Sequence, residues 1–247
     1  MQRYEGRVAV VTGAGSGIGR ATVHRLVEEG ATVLAADLSS EGLATTAQDA
    51  CRPEAVTPFV GDVSDPGFSP AAVAAARALG PIHTVVNSAG ILRFEHTHEV
   101  TLASWQKILD VNLTGTFLVC QAAIPALLET KGAIVNVAST AAVAAHPWAA
   151  AYSASKGGVV ALTRTLAIEY AKQGLRANVV CPGSIDTPIT EAFDLPEGAD
   201  GKLLYRIMSP TGMGDPAVVA AAIAYLGSDD AMHVNGADLR IDGGTHS

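Results

Sequence analysis

The chain reads as a single-domain, Rossmann-like α/β fold, a doubly wound parallel sheet of about seven strands flanked by helices on both faces. Three observations point there. Seven short runs rich in β-branched residues alternate with segments of helical period along the whole sequence. Most of these runs are apolar at successive positions, as in strands covered on both faces. The first run leads straight into a glycine-rich turn from which a helix starts.

The first strand, RVAVVT at 7–12, runs into TGAGSGIGR at 12–20. Gly13, Gly17 and Gly19 suit a sharp turn, a close backbone approach to a pyrophosphate and tight packing of helix on strand. The amides around Ser16 and Ile18, where the helix near 17–30 begins, would then receive phosphates. The spacing is GxxxGxG, and an ordinary tight turn would use the same residues. The second strand, ATVLAAD at 31–37, ends on Asp37. A carboxylate there can bond both hydroxyls of an adenosine ribose and would repel a 2′-phosphate; neither Ser16 nor Leu38 brings a cation, so NAD is expected over NADP. Asp37 could instead serve the helix that starts at Ser39 or Ser40 and runs to about 51.

Further strands are expected at 55–62, 83–87, 133–139, 176–181 and 237–242, with helices near 69–79, 101–129, 149–172 and 215–227. One segment breaks the alternation. From Ser184 to Gly214, glycines and prolines punctuate two short helix-like pieces at 188–194 and 201–208, which suits a binding loop or lid within one domain spanning 1–247.

In AYSASKGG, 151–158, Tyr152 and Lys156 are four apart and share a helix face, with small residues around them. An ammonium at about 4–5 Å and an effective dielectric of about 20 would favour the phenolate by roughly 3–4 kcal/mol, enough to make a general acid/base. A solvated helix face would tolerate the same pair.

With 247 residues, 49% hydrophobic and 16% charged, the chain suits one large domain. A net charge of −8 argues against nucleic acid or an anionic membrane as partner. No secretory leader is evident, and no run of about 18 uncharged apolar residues suggests a membrane span. Cys51, Cys120 and Cys181 have no metal-ligand spacing, so no metal is expected, and a reduced, cytoplasmic setting fits.

Taken together, TGAGSGIG, Asp62-Val63, NSAG at 87–90, Asn112, Ser139, YSASK at 152–156, PGSIDTP at 182–188 and the terminal DGG at 242–244 resemble the short-chain dehydrogenase/reductase family, from about residue 5 onward. The resemblance implies a catalytic tetrad of Asn112, Ser139, Tyr152 and Lys156. Tyr152 would exchange the proton with the substrate oxygen, Lys156 would lower the phenol's pKa and bond the nicotinamide ribose, Ser139 would bind the same substrate oxygen, and Asn112 would hold a proton-passing water. It assigns Asp62 and Val63 to the adenine, Asn87, Ala89 and Gly90 to the adenosine side, and Pro182, Gly183, Ile185 and Thr187 to the nicotinamide end. Ser88 departs from the usual second asparagine, His83 from a common aspartate, and Met213 lies where an arginine is frequent.

The substrate pocket is expected from Ile91 and Leu92, from Val143, His146 and Trp148 beside Ser139 and Tyr152, and from the lid residues Ile189, Phe193, Leu203, Leu204, Ile207 and Met208. Most are apolar, which favours a hydrophobic or mid-sized secondary alcohol or ketone as the small-molecule substrate. The resemblance also implies a homotetramer. Two alternatives stay open: a reductase of 3-oxoacyl thioesters, which would usually want NADPH, and a non-catalytic NAD(H)-sensing regulator, which would not need Ser139, Tyr152 and Lys156 together.

Overall fold

The computed structural model describes residues 2–191 and 194–246. Seven parallel strands form one sheet: β1 (Val8–Thr12), β2 (Thr32–Asp37), β3 (Val56–Val60), β4 (Ile82–Asn87), β5 (Ala133–Val137), β6 (Arg176–Pro182) and β7 (Asp238–Ile241). Their order is β3-β2-β1-β4-β5-β6-β7. The chain winds outward from β1 through β2 to β3, then crosses back to place β4 against the other side of β1. Carboxyl ends diverge at such a reversal and leave a crevice.

Every residue of β1, β5 and β6 is buried, because both faces are covered. Side chains alternate across the sheet. Ala9 and Val11 enter a layer with Val23 and Leu26 of α1 (Gly17–Glu28) and Val219 and Ile223 of α8 (Pro216–Gly227). Val8 and Val10 enter the opposite layer, with Val73 and Ala76 of α3 (Phe68–Leu79) and Ala123 and Leu127 of α5 (Gly115–Thr130). The edge strands β3 and β7 are only partly buried. The remaining helices are α2 (Ser40–Gln48), α4 (Leu102–Leu109), α6 (Ala150–Glu169) and the single turn α7 (Pro188–Glu191).

The helix expected at 101–129 is interrupted. A π-helical turn, Asp110–Thr114, separates α4 from α5 and carries Asn112. Wide turns of this kind recur at functional sites because they re-aim backbone carbonyls. The absence of a membrane-length apolar stretch also needs correction: Leu102–Thr130 has a mean hydropathy of 1.6 over its most apolar part, enough to cross a bilayer by length and composition. Half of that part is buried inside the fold, where Val119, Cys120, Ala123 and Leu127 pack on the sheet. Core packing accounts for its apolarity.

Candidate active site

A cleft of about 390 Å³ opens at the carboxyl ends of β1, β4, β5 and β6. One end is built from backbone. Gly13 has φ +66°, and a Cβ there would lie 2.7 Å from the Ala89 nitrogen, so only glycine lets the turn after β1 meet the segment after β4. At Gly19 a Cβ would come within 1.9 Å of the Gly13 carbonyl oxygen. Ser16 stands at the N-cap of α1 without a side-chain cap bond, leaving the first-turn amides of Gly17, Ile18 and Gly19 to the cleft they line. Such a cradle fits a phosphate group.

Asp37 lines the same end beside the exposed Leu38. Its carboxylate accepts the Gly15 amide at 2.9 Å and the Ser39 amide at 2.8 Å. Each oxygen keeps a free lone pair, so the group fits a ribose diol while also ordering the start of α2. Arg20 is the nearby cation that sequence reading did not weigh. Its guanidinium bonds the Gly15 carbonyl and, at 3.1 Å, the Thr46 hydroxyl, and it does not line the cleft. Asp62 accepts the Ser64 amide at 2.8 Å and hydroxyl at 2.6 Å, with Lys107 Nζ 3.6 Å away. Those hydrogen bonds, aided by the lysine charge, hold its carboxyl below the usual range. Val63 is buried next to it, against Gly115.

Ala89 and Gly90 line the cleft together with Ser88, but Asn87 does not. Its side chain turns into the core, where Nδ2 donates to Asn136 Oδ1 at 2.9 Å and to Cys120 Sγ at 3.3 Å. Alternation along β4 gives its side chain the face of Val85, toward α5, so only its backbone could serve the adenosine side.

At the other end, Ser139 follows β5 in extended conformation (φ −170°, ψ 160°), and its hydroxyl accepts the Ala141 amide at 3.1 Å. Tyr152 and Lys156 share one face of α6, and Lys156 Nζ lies 5.8 Å from the centre of the Tyr152 ring. The ammonium donates to the Val137 carbonyl at 2.8 Å. The pairing is as expected, but its electrostatics are not. Burial pulls Lys156 down to about 8 and pushes the Tyr152 phenol above its ordinary value, against a lowering influence from Ser139. Desolvation outweighs the Coulomb attraction anticipated from spacing, because the amine points to a carbonyl and both groups are enclosed.

Asn112 is fully buried and off the cleft wall. Its amide clamps Ile91 from both sides, accepting from the nitrogen at 2.8 Å and donating to the carbonyl at 2.9 Å. Its own carbonyl accepts the Thr116 hydroxyl at 2.8 Å. A Cβ at Gly90 would lie 3.3 Å from both Asn112 Oδ1 and Lys156 Nζ, so only glycine leaves room between the two side chains, and Asn112 Nδ2 also donates to the Ser155 hydroxyl at 3.0 Å.

Pro182, Gly183, Ile185 and Thr187 line the cleft after β6. Beyond them the chain leaves and returns at one place. Asp186 N–H donates to the Gly214 carbonyl at 2.9 Å, and Gly214 N–H to the Ser184 carbonyl at 2.8 Å. Ile91, Leu92 and His146 line the substrate side, as do Ile189 and Ile207. Val143 and Trp148 do not; Val143 is exposed, and Trp148, at φ +59°, accepts the Glu95 amide at 2.8 Å. Leu203, Leu204 and Met208 are also off the wall, and Phe193 lies outside the described residues.

Sequence reading missed Phe94, Val111, Val137, Ala138 and Thr190 as lining residues. Val137 and Ala138 were legible as the end of a central strand, and Thr190 as part of the segment after β6. Phe94 and Val111 carry no local signal. No group of three or more histidine, cysteine or acidic side chains suited to a metal occurs among the described residues.

A family described as enoyl-(acyl carrier protein) reductase matches residues 13–246. A 2-(R)-hydroxypropyl-CoM dehydrogenase of Xanthobacter autotrophicus is 42% identical, over 96% of this chain and 97% of its own. A D-threitol dehydrogenase of Mycolicibacterium smegmatis is 43% identical, over 98% and 94%. The structure of a 3-ketoacyl-(acyl-carrier-protein) reductase from Brucella melitensis complexed with NADH superposes with a TM-score of 0.90 at 33% identity, covering 98% of this chain and 99% of that one. The two chains share the Rossmann-like architecture, a seven-stranded parallel sheet with helices on both faces.

Proposed function

The chain belongs to the short-chain dehydrogenase/reductase family, and from that premise we propose an NAD-dependent enzyme that interconverts a secondary alcohol and a ketone. The observation that carries this reading is one cleft with a backbone cradle and Asp37 at one end and Ser139, Tyr152 and Lys156 at the other. The dinucleotide, bound along that cleft, supplies the hydride acceptor or donor.

In this reading Tyr152 takes the hydroxyl proton during oxidation and returns it during reduction. Ser139 donates a hydrogen bond to the same substrate oxygen and steadies the charge that develops there. Lys156, held near 8 by burial, sits where it can carry a proton at neutral pH and release it readily, feeding the phenol. Asn112 acts behind them, fixing Ile91 and the backbone around Gly90. Asp37 supports NAD over NADP, since no lysine or arginine among the described residues lines the cleft at its end to balance a second negative charge there, Lys156 standing at the other end. The segment 184–214 serves as the substrate lid of a single domain, and a cytoplasmic homotetramer is the expected form, which light scattering checks.

A 3-oxoacyl-thioester reductase is the second reading, favoured by the family description and by the Brucella relative. Replacing Tyr152 by Phe tests the main one: NADH binding is retained and turnover falls by about 10²–10⁴-fold. Turnover near that of the unmodified protein would remove Tyr152 from the mechanism. Side-by-side assays with small secondary alcohols and an acetoacetyl thioester separate the two readings.

A further inference from the structure

The substrate side of the cleft is assembled from pieces far apart in the chain. Ile91 and Leu92 come from the segment after β4, His146 from the segment after β5, and Ile189 and Ile207 from the two limbs of the lid. Their relative placement depends on whatever braces them from behind. The terminal DGG, 242–244, stands where two of these pieces meet.

β7 ends beside β6, where the Gly183 amide donates to the Ile241 carbonyl at 3.0 Å. Asp242 then gathers the residues that follow it. Its carboxylate accepts the Gly244 amide at 3.1 Å and the His246 amide at 3.3 Å, and its backbone carbonyl accepts the Thr245 hydroxyl at 2.5 Å. Gly243 and Gly244 turn at φ +60° and +86°, in the left-handed region that glycine enters without strain. Arg240 closes the turn by donating to the His246 carbonyl at 2.6 Å.

This compact turn touches the cleft wall on two sides. On one, Gly243 lies so close to the returning limb of the lid that a Cβ there would collide with the Ser209 and Thr211 hydroxyl oxygens. Those hydroxyls are 2.9 Å apart, the Ser209 amide donates to the Ser184 hydroxyl at 3.4 Å, and Ser184 donates in turn to the Ile207 carbonyl at 3.2 Å. Ser184 and Ile207 both line the cleft. On the other side, the ring of His246 stands against that of His146, with centroids 6.1 Å apart. His246 Nε2 is buried and makes no hydrogen bond among the described residues, so this ring acts by packing. His146 is held in addition by Thr140, whose buried hydroxyl lies 3.2 Å from its Nε2.

Resting on the dehydrogenase reading above, we infer that Asp242–His246 is a strap that ties the returning limb of the lid to the His146 wall, and that its grip sets how tightly the substrate is held. Gly243 and His246 are its positioning residues. Neither lines the cleft, so the strap acts on the substrate through Ile207 and His146 and leaves the backbone cradle at the opposite end unchanged.

The test combines kinetics with amide exchange. With 1-phenylethanol and NAD, His246→Ala raises KM by about 3–10-fold, the loss of one ring contact, and changes kcat by less than about twofold. His246→Phe keeps the ring and returns KM to within about twofold of the parent. In hydrogen exchange on the purified protein, His246→Ala speeds the amides of 207–214 by about 3–10-fold, although its ring packs on His146 and not on the lid. Gly243→Ala, which forces a Cβ into the left-handed region and onto the lid, speeds them by about 10-fold. The amides of 13–19 keep the parent's rates in both, and NADH affinity, read by fluorescence, reports that each variant is folded. Unchanged exchange at 207–214 in His246→Ala overturns the strap, as does a KM increase that His246→Phe fails to reverse. If no secondary alcohol reduces NAD, the dehydrogenase reading falls by itself, because amide exchange still decides for or against the strap.

Discussion

The two ends of the cleft are built on opposite electrostatic terms. At the adenosine end, the charged groups have partners: Asp37 accepts two backbone amides, and Asp62 has Ser64 and Lys107. At the reacting end, ionisable groups are enclosed without counter-charges, so Lys156 and His146 are pulled down and Tyr152 is pushed up. At neutral pH Asp62 adds stability and the buried Lys156 charge subtracts it, whereas the penalty at His146 is felt only below its unfolded value and that at Tyr152 only in the alkaline range. On the proposed reading, the groups assigned to proton chemistry are the ones the fold tolerates at a cost.

The sharpest way to break this contrast is Lys156→Met. Turnover should fall by about 10²–10⁴-fold, while the cofactor-free protein gains about 1–3 kcal/mol of stability at pH 7 from losing a buried charge. Below pH 8 both folded and unfolded chains hold the lysine proton, and the burial penalty is complete. Between about 8 and 10.5 the unfolded chain holds more protons, so the penalty fades as pH rises. The stability advantage of the variant should therefore shrink across that window in denaturant titrations. A variant less stable than the parent at pH 7 would contradict the assignment.

Next in size is Asp37→Ala. Losing a charged acceptor for the ribose should weaken NADH by about 10-fold and narrow the gap to NADPH, both readable by fluorescence titration. An unmodified protein that already prefers NADPH would reverse the assignment of this carboxylate.

The acid limb sharpens the comparison further. His146 binds a proton near 4 when folded and near 6.5 when unfolded, so the unfolded chain takes up more protons as pH falls through that interval. Thermal midpoints should decline from pH 6.5 toward 4, and His146→Asn should flatten the decline. The smallest effect belongs to Asp62→Asn. Its lowered carboxyl contributes at neutral pH and fades as pH falls through the folded value, so the substitution should cost only about 0.5–1 kcal/mol, because the carboxylate is partly exposed.

Much of the adenosine end was legible in the sequence because it is made of neighbouring residues. The glycines at 13, 17 and 19 and the carboxylate at 37 signal their roles by position after a strand. All seven strands were legible too, the central ones because both-face burial writes continuous apolar runs and the partly buried edge strands β3 and β7 from their place in the alternation with helices. The reacting end was legible as identities and not as energies. Spacing placed Tyr152 and Lys156 together, but burial, which reverses the expected shift of the phenol, comes from β5 and β6, far away in sequence. The inward turn of the Asn87 side chain is legible from alternation along β4, whereas Phe94 and Val111 are not legible as lining residues, because only the tertiary fold brings them to the cleft. The break at Asn112 was also hidden, since a π turn leaves the apolar pattern of a helix nearly intact.

The paired backbone hydrogen bonds that join Asp186 to Gly214 and Gly214 to Ser184 have a mechanical consequence. They make the residues between them a cassette, whose two feet stand on the same spot of an unchanging frame. Lengthening or trimming such an insert costs free energy that grows only with the logarithm of its length. A change of length between those feet should therefore leave the sheet and the other walls of the cleft in place.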